Sequence, residues 1–369
     1  MVTQVQLWNG FVMFDELALN HNFEINIIIF PENSVLDNNG EYSANLALKN
    51  EKWKNVIVGR DANDNIVSRK KIIKQKSIIF YESVDMSIND NSWNLLKLAR
   101  RHLLFYIPYN VKVIDRVRDH YQMPIHSIAH TIFSESPWHL RQFKSHGYLE
   151  AKNAVWIGSS KLEGTKYYEA QDNRGRLDSC DILIAPHWTL LGKKIGIGAF
   201  EKYYLDLLQL PKLFPKLRFI LRPHPNWATA VIESGLMTNL ELSLYIENWN
   251  SNRNCSYLPN ERTSEFYNVS AVITDSGSFL AEFLPSMQPL YLLHTKTQFN
   301  EFGKTISHSH YTSSDFVNMF DFLNIVILGK NDFKRLERER VKEELIQLYH
   351  NQTFSKNLRD YTLNLLMKN

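Results

Sequence analysis

The stretch from Ala271 to Glu282, Ala-Val-Ile-Thr-Asp-Ser-Gly-Ser-Phe-Leu-Ala-Glu, has residue types and spacing suited to binding a phosphate. An apolar run ends in a hydroxyl-rich turn and continues as a helical pattern, so backbone N–H groups and a helix dipole would point at one place. Ser276 and Ser278 add hydroxyl donors, and Gly277 would let a phosphate approach the backbone. Glu282 would then accept hydrogen bonds from two ribose hydroxyls. A capped helix in an ordinary α/β unit is the competing interpretation.

Two further loops carry polar residues directly after apolar runs. His187 follows Ile-Ala-Pro, while Arg222 and His224 stand in Arg-Pro-His-Pro, where the prolines restrict the loop. A guanidinium and an imidazole would offer donors to pyrophosphate oxygens. Asp275 is counted among the donor-binding residues of this turn, and it is expected to fix its own loop through backbone N–H groups rather than to hold a metal. One histidine of this kind is more often structural, so the functional hypothesis depends on the loops lying together.

His126 and His130 are the candidates for a base that removes a proton from an acceptor hydroxyl, a base expected from the first half of the chain, across a cleft. They lie four residues apart, so on a helix they would share one face. The spacing would also suit a metal pair, but no His-Glu-x-x-His context or third ligand accompanies them. A structural or surface role is the first interpretation, a general base the second and a metal site the third. Four other histidines are interpreted as solvated loop residues: His139, His146, His308 and His310.

These loops need parallel strands to bring them together. Short β-branched or aromatic runs alternate with helical stretches along the chain. They are Phe23–Phe30, Asn55–Val58, Ser77–Tyr81, Leu103–Ile107, Ala154–Ile157, Asp181–Ala185, Arg218–Leu221, Ala271–Thr274 and Pro289–Leu293. This alternation predicts parallel sheets covered on both faces. Since open sheets bind ligands beyond the carboxyl ends of their strands, the three loops are expected to line one crevice.

A polar segment from about Glu169 to Ser179 predicts a link between two α/β halves. A chain of 369 residues is also long for one core. The predicted domains are 1–170, Rossmann-like and on the acceptor side, and 171–330, Rossmann-like and binding the nucleotide donor. Residues 331–369 are predicted to form a helical tail, with Asn331 or Asp332 capping a helix to about Tyr349. The expected fold class is α/β of the B-type glycosyltransferase (GT-B) kind, with two doubly wound parallel-sheet domains facing a cleft.

Three motifs carry a resemblance to a known family. Ala185-Pro-His-Trp188, Arg222-Pro-His-Pro225 and Ile273-Thr-Asp-Ser-Gly-Ser278, in this order and spacing, resemble the CDP-glycerol glycerophosphotransferase family, which contains teichoic-acid polymerases and related capsule enzymes. Weaker similarities at Tyr106–Tyr109 and Ile157–Leu162 extend the resemblance over roughly residues 100–330. His130 with Thr-Ile-Phe is loosely similar to the family's first-domain His-Gly-Thr motif.

Residue by residue, the resemblance implies donor-phosphate contacts from His224, Ser276, Gly277 and Ser278, with Arg222 as adjacent support. The same turn followed by Glu282 is similar to the donor loop of UDP-N-acetylglucosamine 2-epimerases, where the glutamate holds the ribose. Leu258 is the expected contact to the base. Many polymerases of the family carry Tyr-Ser-Ser at this turn, so the nucleotide stays open.

The implied function is a transferase that moves glycerol phosphate, or a similar polyol phosphate, from a CDP-activated donor to a cell-envelope or capsule polymer or primer, with CMP release. The candidate catalytic residues are His130, His126 and His224. No Asp-x-Asp motif follows a strand, so neither a metal nor a cofactor is required. A nucleotide-sugar glycosyltransferase of the same fold is the alternative; an epimerase and a non-catalytic scaffold also stay open.

Composition and net charge limit the kinds of binding partner and the cellular location to be expected. The net charge of +3 and dispersed basic residues do not favour nucleic acid. The only cysteines, Cys180 and Cys255, fit a reducing cytoplasm, and no run reaches the roughly 18 apolar residues of a membrane span. The expected location is cytoplasmic, with peripheral contact at the inner face of the membrane left open through residues 69–76 or the C-terminal helix. A nucleotide-activated donor and a polymer or lipid-linked acceptor are the expected partners.

Overall fold

A computed structural model describes residues 13, 16–17, 23–30, 56–61, 63, 65–73, 75–82, 93–163, 180–190, 197–259, 261, 266, 268–293, 298–313, 316–346 and 353–367. Within them the chain forms two compact units. Unit 1 comprises Met1–Val111, Arg116–Gly164 and Gln347–Asn369, and unit 2 comprises Lys112–Asp115 and Thr165–Ile346. The segment predicted as a tail is therefore divided between the units, while the predicted link at 169–179 lies outside the described residues. The boundaries at 170 and 330 stay predictions.

The strands confirm the α/β fold class with parallel sheets. In unit 1 they are β1 (Ile27–Ile29), β2 (Val56–Val58), β3 (Ile78–Tyr81), β4 (Leu103–Tyr106), β5 (Thr131–Ser134) and β6 (Ala154–Trp156). In unit 2 they are β7 (Asp181–Ala185), β8 (Arg218–Leu221), β9 (Cys255–Tyr257), β10 (Ala271–Thr274), β11 (Leu290–Leu293) and β12 (Tyr311–Ser313). Every predicted apolar run contains one of these strands, and β5, β9 and β12 are additional.

Unit 1 contains a parallel sheet of order β3-β4-β5-β6 and a parallel pair, β1-β2. Its described helices are α1 (Arg69–Ile72), α2 (Leu95–Ala99), α3 (Val117–Tyr121), α4 (Pro124–Ile128), α5 (Pro137–His146) and, at the end of the chain, α14 (Phe354–Met367). One sheet face packs against α14, whose Phe354 and Leu358 are buried beside Phe105 and Phe133. Asn357 of the same helix donates to the carbonyl of Ile157 at 2.8 Å.

Unit 2 contains a six-stranded parallel sheet of order β12-β11-β10-β7-β8-β9. Its described helices are α6 (Phe200–Leu207), α7 (Leu210–Leu213), α8 (Trp227–Glu233), α9 (Asn239–Asn250), α10 (Ser278–Phe283), α11 (Glu301–Ser307), α12 (Phe316–Asp321), a π-helical stretch Phe322–Leu328, and α13 (Arg335–Ile346). Relative to the chain, the strands run 3-2-1-4-5-6 from one edge, the order of a doubly wound nucleotide-binding sheet. The direction of winding reverses between β7 and β10, so a crevice is expected beyond their carboxyl ends.

Among the described residues, no helix is both long enough and apolar enough to span a bilayer.

Candidate functional site

The loops after β7, β8 and β10 are joined to one another at the carboxyl edge of the unit 2 sheet. Asp275 accepts from the backbone N–H of His187 at 2.5 Å, while the backbone N–H of His224 donates to the carbonyl of Pro186 at 3.0 Å. The three polar loops predicted from sequence therefore lie together, at the point where the winding of the sheet reverses.

Asp275 is a scaffold residue of this edge. Its carboxylate is 2% exposed and accepts from the N–H groups of His187 and Ala199, at 2.5 and 2.6 Å, and from the hydroxyl of Tyr203 at 2.8 Å. Burial raises the pKa of Asp275 from 3.8 to about 6, although these hydrogen bonds oppose the shift. Both oxygens are engaged in holding loops, which matches the loop-fixing role expected for this residue and not the donor contact also predicted for it.

Two threonines that the sequence did not single out complete the scaffold. Thr274 donates its hydroxyl to the carbonyl of Ala185 at 2.7 Å and accepts from the N–H of Ser276 at 3.0 Å, which joins β7 to the turn after β10. The Thr189 hydroxyl accepts from the N–H groups of Ile197 and Gly198 at 3.2 and 3.1 Å. Thr274 lies within the Thr-Asp-Ser-Gly-Ser motif named from the sequence, and Thr189 stands two residues after His187, but neither was chosen as a site residue.

His187 is held as a neutral hydrogen-bond donor. Its Nδ1 accepts from the backbone N–H of Thr189 at 3.2 Å and lies 2.8 Å from that residue's hydroxyl, which is free to donate because its oxygen already accepts two N–H groups. Burial lowers the pKa of His187 from 6.5 to about 4. With Nδ1 acting as an acceptor, the single proton of the neutral ring lies on Nε2.

His224 lies beside His187, and its ring is also placed to act as a hydrogen-bond donor. Its Nδ1 accepts from the N–H of Asn226 at 3.1 Å, which in the neutral ring also places the proton on Nε2. The two histidine rings are 5.7 Å apart between centroids, and the Trp188 ring lies 6.2 Å from His224. The backbone around His224 is fixed as well, since its carbonyl accepts from Trp227 at the start of α8 at 2.8 Å. The structure thus brings together a half-buried pair of imidazole donors.

Arg222 does not present the predicted fork to a ligand. It is 1% exposed, and its Nε donates to the backbone carbonyl of Glu261 at 3.1 Å. Two residues further along the chain, His224 lies near His187, with the ring centroids 5.7 Å apart. Through this hydrogen bond Arg222 stabilises the chain that follows β9. Leu258, the expected base contact, is half-buried there and donates its N–H to Leu221 at 2.9 Å.

The turn after β10 leads into α10 as predicted. The Ser276 and Ser278 hydroxyls are 3.2 Å apart, and Gly277 occupies the N-cap position without a side-chain cap. Gly277 has a φ of −62°, so it is not needed for a left-handed conformation. A Cβ at Gly277 would instead lie 3.3 Å from side-chain atoms of Val113 and Ile114. The close approach that the structure shows at this glycine is to protein, and its role in phosphate access stays a prediction.

The segment Lys112–Asp115 is part of unit 2 and is anchored by Asn300. The Asn300 side chain donates to the carbonyls of Lys112 and Ile114 at 2.9 and 3.4 Å and accepts from the N–H of Gly303 at 2.8 Å. Its backbone N–H donates to the Val113 carbonyl at 3.0 Å. Asn300 therefore caps α11 and fixes the segment that packs on Gly277. Sequence reasoning missed it, because a helix cap gives no signal of a distant partner.

Glu282 is on α10 but is 2% exposed. Its neighbours from Phe279 to Phe283 on this helix are buried as well. The Glu282 side chain is therefore almost completely shielded from solvent, and its contact with a ribose stays a prediction.

The two candidate histidines of unit 1, His126 and His130, do not lie on the same helix. His126 is in α4 and is 4% exposed; its Nδ1 accepts from the N–H of Met123 at 3.1 Å, and its ring contacts Tyr106 and Phe143 at 5.2 and 5.3 Å. This is the structural role named as the first interpretation. His130 lies beyond the end of α4, so the pair does not share a helix face.

His130 directly precedes β5, at the amino-terminal edge of its sheet, whereas open sheets bind ligands at the carboxyl edge. The role of His130 as a general base stays a prediction, and its position argues against it. At the carboxyl end of β5 the chain places Glu135 and the buried pair Ser136 and His139, whose Oγ and Nδ1 are 2.7 Å apart. His139 and His310 are fully buried, so the interpretation of these two as solvated residues was wrong.

Comparison with known proteins agrees with the fold described above and identifies no family for the chain. No protein-family model and no curated protein sequence matches the chain. Among solved structures, UDP-GlcNAc 2-epimerase from Neisseria meningitidis bound to UDP-GlcNAc is similar with a TM-score of 0.55 and 11% identity, covering 100% of this chain and 98% of its own. The S. aureus MnaA–UDP structure gives 0.54 and 12%, covering 91% and 89%. The wall teichoic acid polymerase TagF gives 0.57 and 13%, covering 96% and 85%. At these identities the likeness shows that the chain has the GT-B type of fold.

Proposed function

We propose that unit 2 binds the diphosphate of a nucleotide-activated donor at the carboxyl edge of β7, β8 and β10. The chain would be a transferase that moves glycerol phosphate, or a similar polyol phosphate, from a CDP-linked donor to a cell-envelope or capsule polymer or primer. The observation that carries the proposal is the His187–His224 pair, 5.7 Å apart at the reversal of the sheet. The resemblance to the glycerophosphotransferase motifs and the fold shared with a wall teichoic acid polymerase support it.

The two imidazoles would act as hydrogen-bond donors to the diphosphate. Both place an N–H on Nε2, and the Ser276 and Ser278 hydroxyls lie on the adjoining turn. In the transfer, the acceptor hydroxyl forms a bond to the phosphorus that carries glycerol, and the bond from that phosphorus to the bridging oxygen breaks. CMP leaves with that oxygen, while the acceptor proton passes to a base. Donors fixed before the reaction stabilise the charge on CMP without reorganising.

His187 is expected to meet the donor as a neutral ring. The pKa of His187 is lowered to about 4 by burial, so the ring is neutral near pH 7. Because its Nδ1 accepts from the backbone N–H of Thr189, Nε2–H is the donor that the ring would offer to a diphosphate.

The experiment is release of CMP from CDP-glycerol or CDP-ribitol in the presence of a glycerol phosphate primer. We expect His224→Ala to lower the rate by about tenfold or more, since a hydrogen bond to a charged group contributes roughly 1.5–3 kcal/mol. His308→Ala is the matched control, because His308 is exposed at the end of α11. Equal rates for the wild type and His224→Ala would remove His224 from the site.

A nucleotide-sugar glycosyltransferase is the second candidate. It is favoured by the Ser-Gly-Ser turn and by the fold shared with structures solved with UDP-GlcNAc and with UDP. Identifying the leaving nucleotide and the transferred group separates the two functions, since a UDP-sugar donor would release UDP and not CMP. Isomerisation of UDP-GlcNAc without an acceptor would indicate an epimerase instead.

Polymer or lipid-linked acceptors of the cell envelope are part of the same proposal. Such acceptors imply that the protein works from the cytoplasm at the inner face of the cell membrane, through peripheral contact. Sedimentation with vesicles measures this contact directly.

A further inference from the structure

Unit 1 contains a cavity of about 710 Å³ that the proposed donor site does not use. It lies at the amino-terminal edge of the strands: Asn26 precedes β1, Ser77 precedes β3, Leu103 begins β4 and His130 precedes β5. Its size is within the roughly 300–1,000 Å³ of pockets that bind small molecules.

The floor of the cavity is apolar and incompletely covered. Ile78, Phe80 and Leu103 from the sheet, with Phe23 and Ile25, pack on the unit 1 core with one side and remain only partly buried. Leu366 of α14 adds apolar surface and is 47% exposed. Apolar surface of this kind is stabilised when an apolar ligand removes it from water. The cavity therefore fits an aliphatic chain.

A buried threonine that lines the cavity provides an independent observation. Thr362 of α14 lines the cavity and is 1% exposed, and its Oγ1 has no hydrogen-bond partner among the described residues. A buried polar atom without a partner is costly, so such groups usually meet a partner. A ligand oxygen in the cavity would supply it.

The side chains at the rim of the cavity indicate which polar head group a bound ligand would carry. Among the described residues that line the cavity, the exposed polar side chains are one carboxylate, Glu24, one ammonium, Lys76, and two amides, Asn26 and Gln75. Opposite charges in equal number do not favour an ionic head, whereas mixed donors and acceptors suit hydroxyl groups, which both donate and accept. His130 adds a ring whose Nδ1 is 3.0 Å from the Thr131 hydroxyl, with Nε2 as its other nitrogen.

We propose that this cavity binds an amphiphile with an aliphatic chain and a neutral, hydroxyl-rich head, of the acylglycerol or alkyl glycoside class. The chain lies on Ile78, Phe80 and Leu103, an oxygen meets Thr362, and the hydroxyls meet the rim. This site is separate from the donor site of unit 2 and does not depend on the proposed transfer reaction. His130, which the donor site leaves unused, belongs to it.

The test is calorimetric titration of the full chain with dodecyl maltoside below its micelle concentration. We expect one binding site, no binding of maltose alone, and weaker binding of dodecyl phosphate and dodecyltrimethylammonium. Thr362→Val, which keeps the shape and removes the hydroxyl, should weaken binding about threefold to tenfold, the range of one net hydrogen bond. Leu103→Trp, which fills the cavity, should abolish it.

Thr305→Val and Leu240→Trp are the matched controls, because both positions are exposed in unit 2. Circular dichroism establishes that the variants are folded; if Leu103→Trp does not fold, the nearly isosteric Thr362→Val decides. Unchanged affinity in Thr362→Val overturns the proposal, as does tighter binding of either ionic amphiphile or the absence of a 1:1 site.

Discussion

At the scale of single residues, the site depends on hydrogen bonds that determine which nitrogen of a histidine carries its proton. The neighbours of His187 and His224 both use Nδ1, so both rings turn Nε2–H away from their own loops. The sequence predicted that these two histidines would follow strands at one edge of a sheet, and they lie together there. It did not predict their protonation, since that is set by the backbone N–H groups of Thr189 and Asn226.

The ring of His187 should stay neutral, with its proton on Nε2, between pH 5 and pH 7. Because burial lowers its pKa from 6.5 to about 4, the folded state binds fewer protons than the unfolded state in between. Its contribution to stability is present above pH 6.5 and is lost as the pH falls towards 4. Ring ¹⁵N NMR shifts measure both the tautomer and the titration. Protonation of this ring near pH 6.5 would contradict the burial that the structure shows.

Asp275 should give the opposite pH dependence. Its pKa is raised from 3.8 to about 6, so its contribution is fully present below pH 3.8 and is lost as the pH rises through 6. The stability of the wild type relative to Asp275→Asn should thus fall by roughly 3 kcal/mol over this range, at about 1.4 kcal/mol per pKa unit. Urea unfolding at a series of pH values measures the difference. The exposed Asp321→Asn is the control, and a difference independent of pH would refute the assignment.

At the scale of elements, a short segment is fixed against the turn after β10. Lys112–Asp115 packs through Val113 and Ile114 on Gly277 and is held by Asn300 at the start of α11. The turn after β10 is therefore joined to β7 and the loop that follows it through Thr274 and Asp275, and it is supported on its other side by this segment.

Gly303→Ala tests how closely that segment packs. In the interior of a helix this substitution is ordinarily stabilising by about 0.5–1 kcal/mol. Here a Cβ would lie 2.0 Å from the Val113 carbonyl oxygen, so we expect the sign to reverse and the cost to be roughly 1–3 kcal/mol. Urea unfolding compares it with Thr305→Ala, an exposed position of the same helix. A more stable Gly303→Ala would show that the segment is not seated as described.

The elements with continuous apolar runs were predictable, and the others were not. Asp181–Ala185, Arg218–Leu221 and Ala271–Thr274 are inner strands of the sheet, where most side chains are buried or partly buried and therefore apolar. Cys255–Tyr257 and Tyr311–Ser313 are the edge strands of the same sheet, where a polar pattern is tolerated. Thr131–Ser134 is buried, but Ile-Phe is too short an apolar run to distinguish a strand from a turn.

In the site, too, the positions set by neighbouring residues in the sequence were predictable, and those set by contacts with distant residues were not. His187, His224 and the Ser276–Ser278 turn come together because each follows an inner parallel strand, and this is visible in the sequence. Arg222 is buried and bonded to the carbonyl of Glu261, and Glu282 is buried on α10. Asn300 supports the site by holding Lys112. Spacing along the chain carries no information about those partners.

At the scale of the whole molecule, the chain leaves unit 1, forms unit 2 and returns. Residues 347–369 belong to unit 1, and the Phe354 ring of α14 is 3% exposed, with its centroid 6.2 Å from that of Phe133. The end of the chain is therefore part of the core of unit 1 and not an appendage.

Phe354→Ala should destabilise unit 1 by about 3–5 kcal/mol, the usual cost of removing a buried phenyl ring. Phe354 packs in the core of unit 1, so the stabilisation of unit 2 by a bound nucleotide should persist in the variant. Chemical unfolding with and without CDP measures both quantities. The exposed Asn364→Ala on the same helix is the control, and an unchanged stability of Phe354→Ala would contradict the packing of α14.

The central claim is that a nucleoside diphosphate binds beside His187 and His224, and calorimetric titration with CDP-glycerol tests it most directly. The wild type and His308→Ala should bind with equal affinity, and His224→Ala should bind about tenfold or more weakly. Equal affinity of all three proteins, or no binding of CDP or UDP ligands to the wild type, would contradict the account.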